Sequence, residues 1–264
     1  MSHQFKKEQR NAITESDIAR VLPCKELDLT DPFKWLALAY KDWQQAKGLA
    51  SLYGVVFALL PMIITLLVGV SGWHLVIFPA LICFMLLGPY LAASLYDISR
   101  EIEHHHKPSL AHCAKAIKRN AVNEWAFGVL LLVLMIFWLR IASILHVLYP
   151  PYLEPTFMNL LPFLAAGTVV GAILLGIVFM ISAFTQPILM DRRVDLATAL
   201  LTSINAVWLN KTVMLIWAGI ILLTVVIGFM TAFIGFIFLM PIIGFASWHA
   251  YIDCIETKVQ RDYE

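Results

Sequence analysis

The polar residues of this chain gather in a few clusters, and long apolar blocks lie between them. Four blocks stand at 49–70, 73–96, 125–148 and 160–189, and the third is interrupted only by Arg140. A further block, 212–252, runs for 41 residues without a charged side chain. An α-helix rises about 1.5 Å per residue and needs about 20 residues to cross a hydrocarbon core of about 30 Å. The 212–252 block is about twice that length and must fold back, with residues 228–231 (Gly-Phe-Met-Thr) as the predicted turn. Spans 213–227 and 232–252 result. The pattern predicts an all-α polytopic membrane bundle of six transmembrane helices arranged as three hairpins.

A second rhythm precedes spans one, three and five. At 31–43, Phe33, Leu36, Ala37 and Tyr40 fall at i, i+3, i+4 and i+7, one face of a helix, with Trp35 and Leu38 off it. At 108–119 the shared face is Leu110, Ala114 and Ile117; at 195–208 it is Leu196, Leu200, Ile204 and Val207. Each stretch is expected to be a cytoplasmic amphipathic helix, with Asp31, Ser109 and Asp195 as N-caps. Surface helix plus hairpin then recurs in approximate repeats 31–107, 108–193 and 194–257. A flexible lead, 1–30, and a tail, 258–264, flank them.

Composition sharpens the class. Of 264 residues 60% are hydrophobic and 14% charged, against roughly 25% charged in an average soluble domain. That excludes an ordinary soluble domain, a disordered chain and a basic nucleic-acid binder. The net charge of +1 is uninformative, but its distribution is not: 18 of the 19 Lys and Arg side chains precede span one, follow span six, or join spans two to three and four to five. Connections rich in Lys and Arg stay cytoplasmic, so both termini are expected there. No signal-peptide core stands out in the charged first 47 residues. The four cysteines show no CxxC spacing and are expected to be free thiols.

Candidate chemistry concentrates where the even spans meet the cytoplasmic side. Asp97, Asp191 and Asp253 stand there, with Arg100 and Arg192 as counter-charges. They are expected either to converge as a polar cluster or to serve as interfacial salt bridges. His249 lies four residues before Asp253, on the same helix face. Arg140 is the single intramembrane charge; a carbonyl, Glu154 or a lipid phosphate would be its partner. Glu124 reads as interfacial. Histidines 104–106 are not expected to hold a metal, because three consecutive side chains cannot all face one ion. Nucleotide, metalloprotease, serine-hydrolase and haem motifs are missing. No cofactor and no metal are expected.

Residues 187–210, Trp217, the Ser247-Trp-His-Ala-Tyr251 piece and the segment from Tyr96 to Glu103 together resemble a proteobacterial family of predicted integral membrane proteins, domain of unknown function 2189. The resemblance extends over roughly 30–257. It implies a multi-pass protein of a Gram-negative inner membrane and no established activity. The respiratory-oxidase label carried by some relatives does not fit six spans without the histidines for two haems and copper. The expected function is a non-enzymatic accessory or assembly factor of a membrane complex, with the lipid bilayer and a membrane-protein partner or second copy as contacts and no nucleic acid. The alternative is a small-solute or ion transporter with a polar site near the cytoplasmic mouth.

Overall fold

The computed structural model describes residues 21–71, 77–147 and 156–255. The first twenty residues, Glu154 and the predicted tail lie outside them. The helices are α1 Asp31–Gln45, α2 Lys47–Ser71, α3 Ile77–Glu103, α4 Leu110–Arg119, α5 Ala121–Val147, α6 Phe157–Ser182, α7 Thr185–Asp191, α8 Leu196–Leu209, α9 Lys211–Met230 and α10 Phe236–Cys254. Six spans are long and apolar enough to cross a membrane: Lys47–Val70, Ile82–Glu103, Ala121–Val147, Met158–Asp191, Lys211–Met230 and Phe236–Cys254. Helices satisfy every backbone polar group within one segment, which a hydrocarbon core without water demands.

The most extensive packing joins elements distant in sequence. Helix α10 lies along α1 and α2 and also meets α3, while α3 packs on α5. The core collects at one end of the bundle, around Trp35, Leu95, Ile98, Phe184, Phe245, Trp248 and Tyr251, all fully buried. Both described chain ends lie there: Lys25 N donates to the Cys254 carbonyl at 2.7 Å, and Cys24 forms an antiparallel bridge with Ile255. Residues 21–28, part of the expected lead, are tied down further. Leu22 N donates to Thr202 Oγ1 at 3.0 Å and Leu27 N to Asn210 Oδ1 at 2.8 Å. Towards the opposite end, large side chains such as Val70, Ile144, Val147, Val169 and Met230 stand exposed, as lipid-facing positions do.

Short helices do precede spans one, three and five, but α1 and α4 bury other faces than the apolar spacing suggests, while α8 buries Val207 of the expected face and packs Leu196 and Leu200 against the core. Helix α1 buries Asp31, Pro32, Trp35, Ala39 and Asp42 and leaves Phe33, Leu38 and Tyr40 exposed. Helix α4 buries Cys113 and Ala116 and exposes Leu110. Helix α8 buries Ala199, Thr202, Ser203 and Ala206, with Val207 at the edge. The physical reason is that lipid is as apolar as leucine, so large apolar groups gain little by turning inward. Small and polar groups gain hydrogen bonds and close packing there. At 100° per residue α1 divides into three sectors: the buried one, an apolar one with Phe33, Leu36 and Tyr40, and a charged one with Lys34 and Lys41. Three sectors suit a helix lying between protein, lipid and water. Ser109 and Asp195 cap as expected, accepting from His112 N and Thr198 N, both at 3.3 Å. Asp31 does not: Thr30 holds the N-cap position, and Asp31 Oδ2 accepts from Asp28 N at 2.7 Å.

Two boundaries also differ from the apolar pattern. Span four breaks between α6 and α7, placing Pro187 in the first turn of α7, where its missing N–H costs no helical bond. Ser203 of α8 satisfies the freed backbone, accepting from Phe184 N at 3.0 Å and donating to the Met180 carbonyl at 2.8 Å. The turn between spans five and six falls at 231–235, not 228–231. Gly228 stays helical, and its lack of a Cβ leaves room for the Phe236 ring. Phe233 N reaches back to the Gly228 carbonyl at 2.8 Å, with Ala232 and Phe233 at φ 50° and 71°.

Candidate functional site: a polar layer at the terminal end

The last two turns of α3 form the hub of a polar layer. Residues 97–103 project around the helix: Asp97 and Glu101, one turn apart, share a neighbour, and the others reach different ones. Asp97 and Glu101 face α4. Asp97 Oδ2 lies 2.8 Å from His112 Nδ1, and Glu101 Oε1 lies 3.6 Å from His112 Nε2. Ser99 Oγ donates to Asp42 Oδ2 of α1 at 2.5 Å, and Glu103 Oε2 accepts from Trp248 Nε1 of α10 at 3.2 Å. Arg100 faces α7, its Nε 3.4 Å from Asp191 Oδ1.

Asp191 anchors the most deeply buried group. Tyr251 OH donates to Asp191 Oδ2 at 2.7 Å and accepts from Arg192 Nε at 2.8 Å. The Arg192 guanidinium also stacks over the Tyr251 ring at 5.8 Å. Asp191, Tyr251, Arg192 and Arg100 are 0%, 0%, 2% and 3% exposed. Two buried guanidiniums and one buried carboxylate are thus tied together through the Tyr251 hydroxyl, in surroundings where an unpaired charge costs several kcal/mol.

Four of the six cluster candidates thus enter the layer's interior: Arg100, Asp191 and Arg192 as one network, and Asp97 in a separate pair with His112. His249 does not engage Asp253. Its Nε2 lies 2.8 Å from Asp42 Oδ2, joining the Ser99 contact. Asp253 is exposed at the rim, where its Oδ2 accepts from Trp35 Nε1 at 3.0 Å. Helical spacing placed His249 and Asp253 on one face, but α1 packs between them and offers each a closer partner. Arg140 is exposed on α5; among the described residues no ion pair joins it, and its suggested partner Glu154 lies outside them.

Asp42, Ser99, His112, Tyr251 and Gln186 were not legible as site residues from sequence. Glu124, read as interfacial, is 1% exposed and accepts a hydrogen bond from Gln186 Nε2. Among them Gln186 alone gave a signal, a polar amide within an otherwise largely apolar run. Burial pushes the Cys113 thiol of α4 up to about 12, with the Asp97 carboxylate beside it adding to the rise.

Six apolar spans, a helix-only fold and a self-paired polar layer define a polytopic helical membrane protein. Over residues 77–191 the chain matches the family described as predicted integral membrane protein (DUF2189). The matched segment runs from the first residue of α3 to the last of α7, and so holds the hub and Asp191 but not His249 or Asp253. No curated protein and no solved structure matches the chain.

Proposed function

We propose that this protein is a non-enzymatic accessory or assembly factor of a bacterial inner-membrane complex, and that it receives a transmembrane helix of a partner protein between spans four and five. The carrying observation is a groove of about 710 Å³ between α6 and α9, lined almost wholly by apolar side chains. Small residues stand on both walls, Ala172 and Gly176 on α6 and Ala218 on α9, and nothing lies within 4 Å of where a Gly176 Cβ would be. Membrane helices associate through small residues that let backbones approach closely. Trp208 and Lys211, 6.0 Å apart at the groove's end, supply an interfacial anchor. Arg100, Asp191 and Arg192 are engaged with one another through the Tyr251 hydroxyl and the Arg100–Asp191 pair, which favours scaffolding over transport.

The same reading places both termini in the cytoplasm, because the Lys and Arg residues cluster on their side. Affinity capture of the full chain from gently solubilised membranes tests the proposal. A stoichiometric membrane partner is expected, and Gly176→Leu, which fills the groove, is expected to lose it while leaving the protein folded. Repeated recovery of a lone chain, or of a homo-oligomer with the groove covered by a second copy, rejects it. The transport alternative predicts a hydrated path. Cysteines introduced at Ser99 or Asp191 would then react with soluble thiol reagents, and we expect them not to.

A further inference from the structure

The three histidines that follow α3 are not a metal site by themselves, but the fold returns one of them to a cluster of side chains with metal-ligand chemistry. His105 adopts φ 60°, and this left-handed residue reverses the chain so that His106 N donates to the Glu101 carbonyl at 2.8 Å. His106 Nδ1 then lies 3.6 Å from Glu101 Oε2. Glu101 also faces His112, and His112 faces Asp97.

Asp97, Glu101 and His112 each offer one ligand atom, all within 4.8 Å of one another. Metal bonds of roughly 2.0–2.2 Å require ligand atoms within about 4.4 Å of each other. The side chains of Glu101 and His112, 13% and 27% exposed, need only a small adjustment. A second observation points to a ligand. Asp97 is fully buried, and its Oδ1 has no hydrogen-bond partner, while Oδ2 is held by His112. A buried carboxylate oxygen without a donor is costly, and a cation beside it removes the cost. The neighbouring Cys113 thiol, which lies beside the Asp97 carboxylate, donates to the Ser94 carbonyl at 3.8 Å.

We propose that Asp97, Glu101 and His112 bind one divalent first-row transition metal, with His106 as an accessory ligand from the water side. Two carboxylates and one imidazole suit Zn²⁺ and its neighbours better than Mg²⁺ or Ca²⁺, which prefer all-oxygen shells. Three protein ligands leave coordination positions for water or His106. The ion would clamp α4 to α3. It would do so independently of any partner in the groove between spans four and five.

The test uses the full-length protein purified in detergent and stripped with a chelator. Co²⁺ is titrated by visible absorption, and bound Zn²⁺ is counted after equilibrium dialysis. One ion per chain is expected, with a ligand-field spectrum showing nitrogen and oxygen donors. Glu101→Gln, a conservative change at a half-buried site, and His112→Gln are each expected to weaken binding on the order of 100-fold. His106→Ala is expected to weaken it several-fold, and His249→Gln not at all. No saturable binding by the wild-type chain overturns the proposal. So does binding that survives Glu101→Gln and is lost only when His104, His105 and His106 are all replaced by Ala, which would assign the ion to the surface tract.

Discussion

Spans two and six differ sharply from span four, although all three are apolar enough to cross a membrane. About half of the apolar window of spans two and six is buried within the protein (47% and 50%), and none of span four's is. Hydropathy ranks them the other way: span four averages 2.5, spans two and six 1.4 and 1.3. Burial in this protein follows polarity and small size. Spans two and six carry Ser94, Asp97, Ser99, Arg100, Gly244, Ala246 and Tyr251, which need partners or permit close approach. The large apolar residues of α6, which makes up most of span four, are equally satisfied by lipid. The contrast separates a packed frame from an open flank.

Several substitutions would break or sharpen that contrast. The largest effect is expected from Asp191→Ala, which removes the buried carboxylate that Arg100 and the Tyr251 hydroxyl meet. Stability should fall by about 3–5 kcal/mol, read as a lowered midpoint of thermal unfolding in detergent. A midpoint close to wild type would mean that the network is not desolvated. Next comes Gly244→Ala in span six. Its new Cβ would lie 2.7 Å from Leu95 Cδ1 and 2.9 Å from Leu95 Cβ in span two, and Leu95 is itself buried. The expected loss is about 1–3 kcal/mol.

A gain of about 1 kcal/mol is expected from Ala232→Gly, which relieves a left-handed backbone at the turn between spans five and six. On the open flank, Gly176→Ala should change stability by less than about 1 kcal/mol, because the added methyl meets nothing. If Gly176→Ala proved as damaging as Gly244→Ala, the flank would have to be packed after all. The smallest effect concerns a thiol. Cys113 should resist soluble thiol reagents at pH 8 while the protein is folded. Its neutral form is favoured by burial, so the stabilisation is complete below the ordinary value of 9.0 and is lost as pH rises towards about 12. The stability difference between wild type and Cys113→Ala should therefore narrow over that interval.

Span number, the short helices before spans one, three and five, and the Ser109 and Asp195 caps were readable because they depend on local length, hydropathy and single side chains. The packing faces of α1 and α4 were not. Phe33 and Tyr40 share a helical face with Leu36, and an aqueous rule would bury it. The protein buries Trp35, Ala39 and Asp42, because the surface beneath α1 carries Ser99 and His249. The Asp97, Arg100 and Asp191 candidates were found because charges near span ends are conspicuous. Asp42 and His112 were missed because each lies on a short surface helix, where a polar side chain is unremarkable.

The sequence by itself determined that the chain belongs in a membrane, that it carries six segments apolar enough to cross one, and that 18 of its 19 Lys and Arg residues lie outside those segments. Those properties follow from the cost of placing polar groups in hydrocarbon, which each segment meets alone. Only the tertiary structure decided which carboxylate meets which cation, that His249 turns to Asp42, and that His106 returns to Glu101. Pairing energies act between helices far apart in the chain, and a single break at Pro187 or one left-handed residue at His105 redirects them. The apolar pattern carries no trace of either.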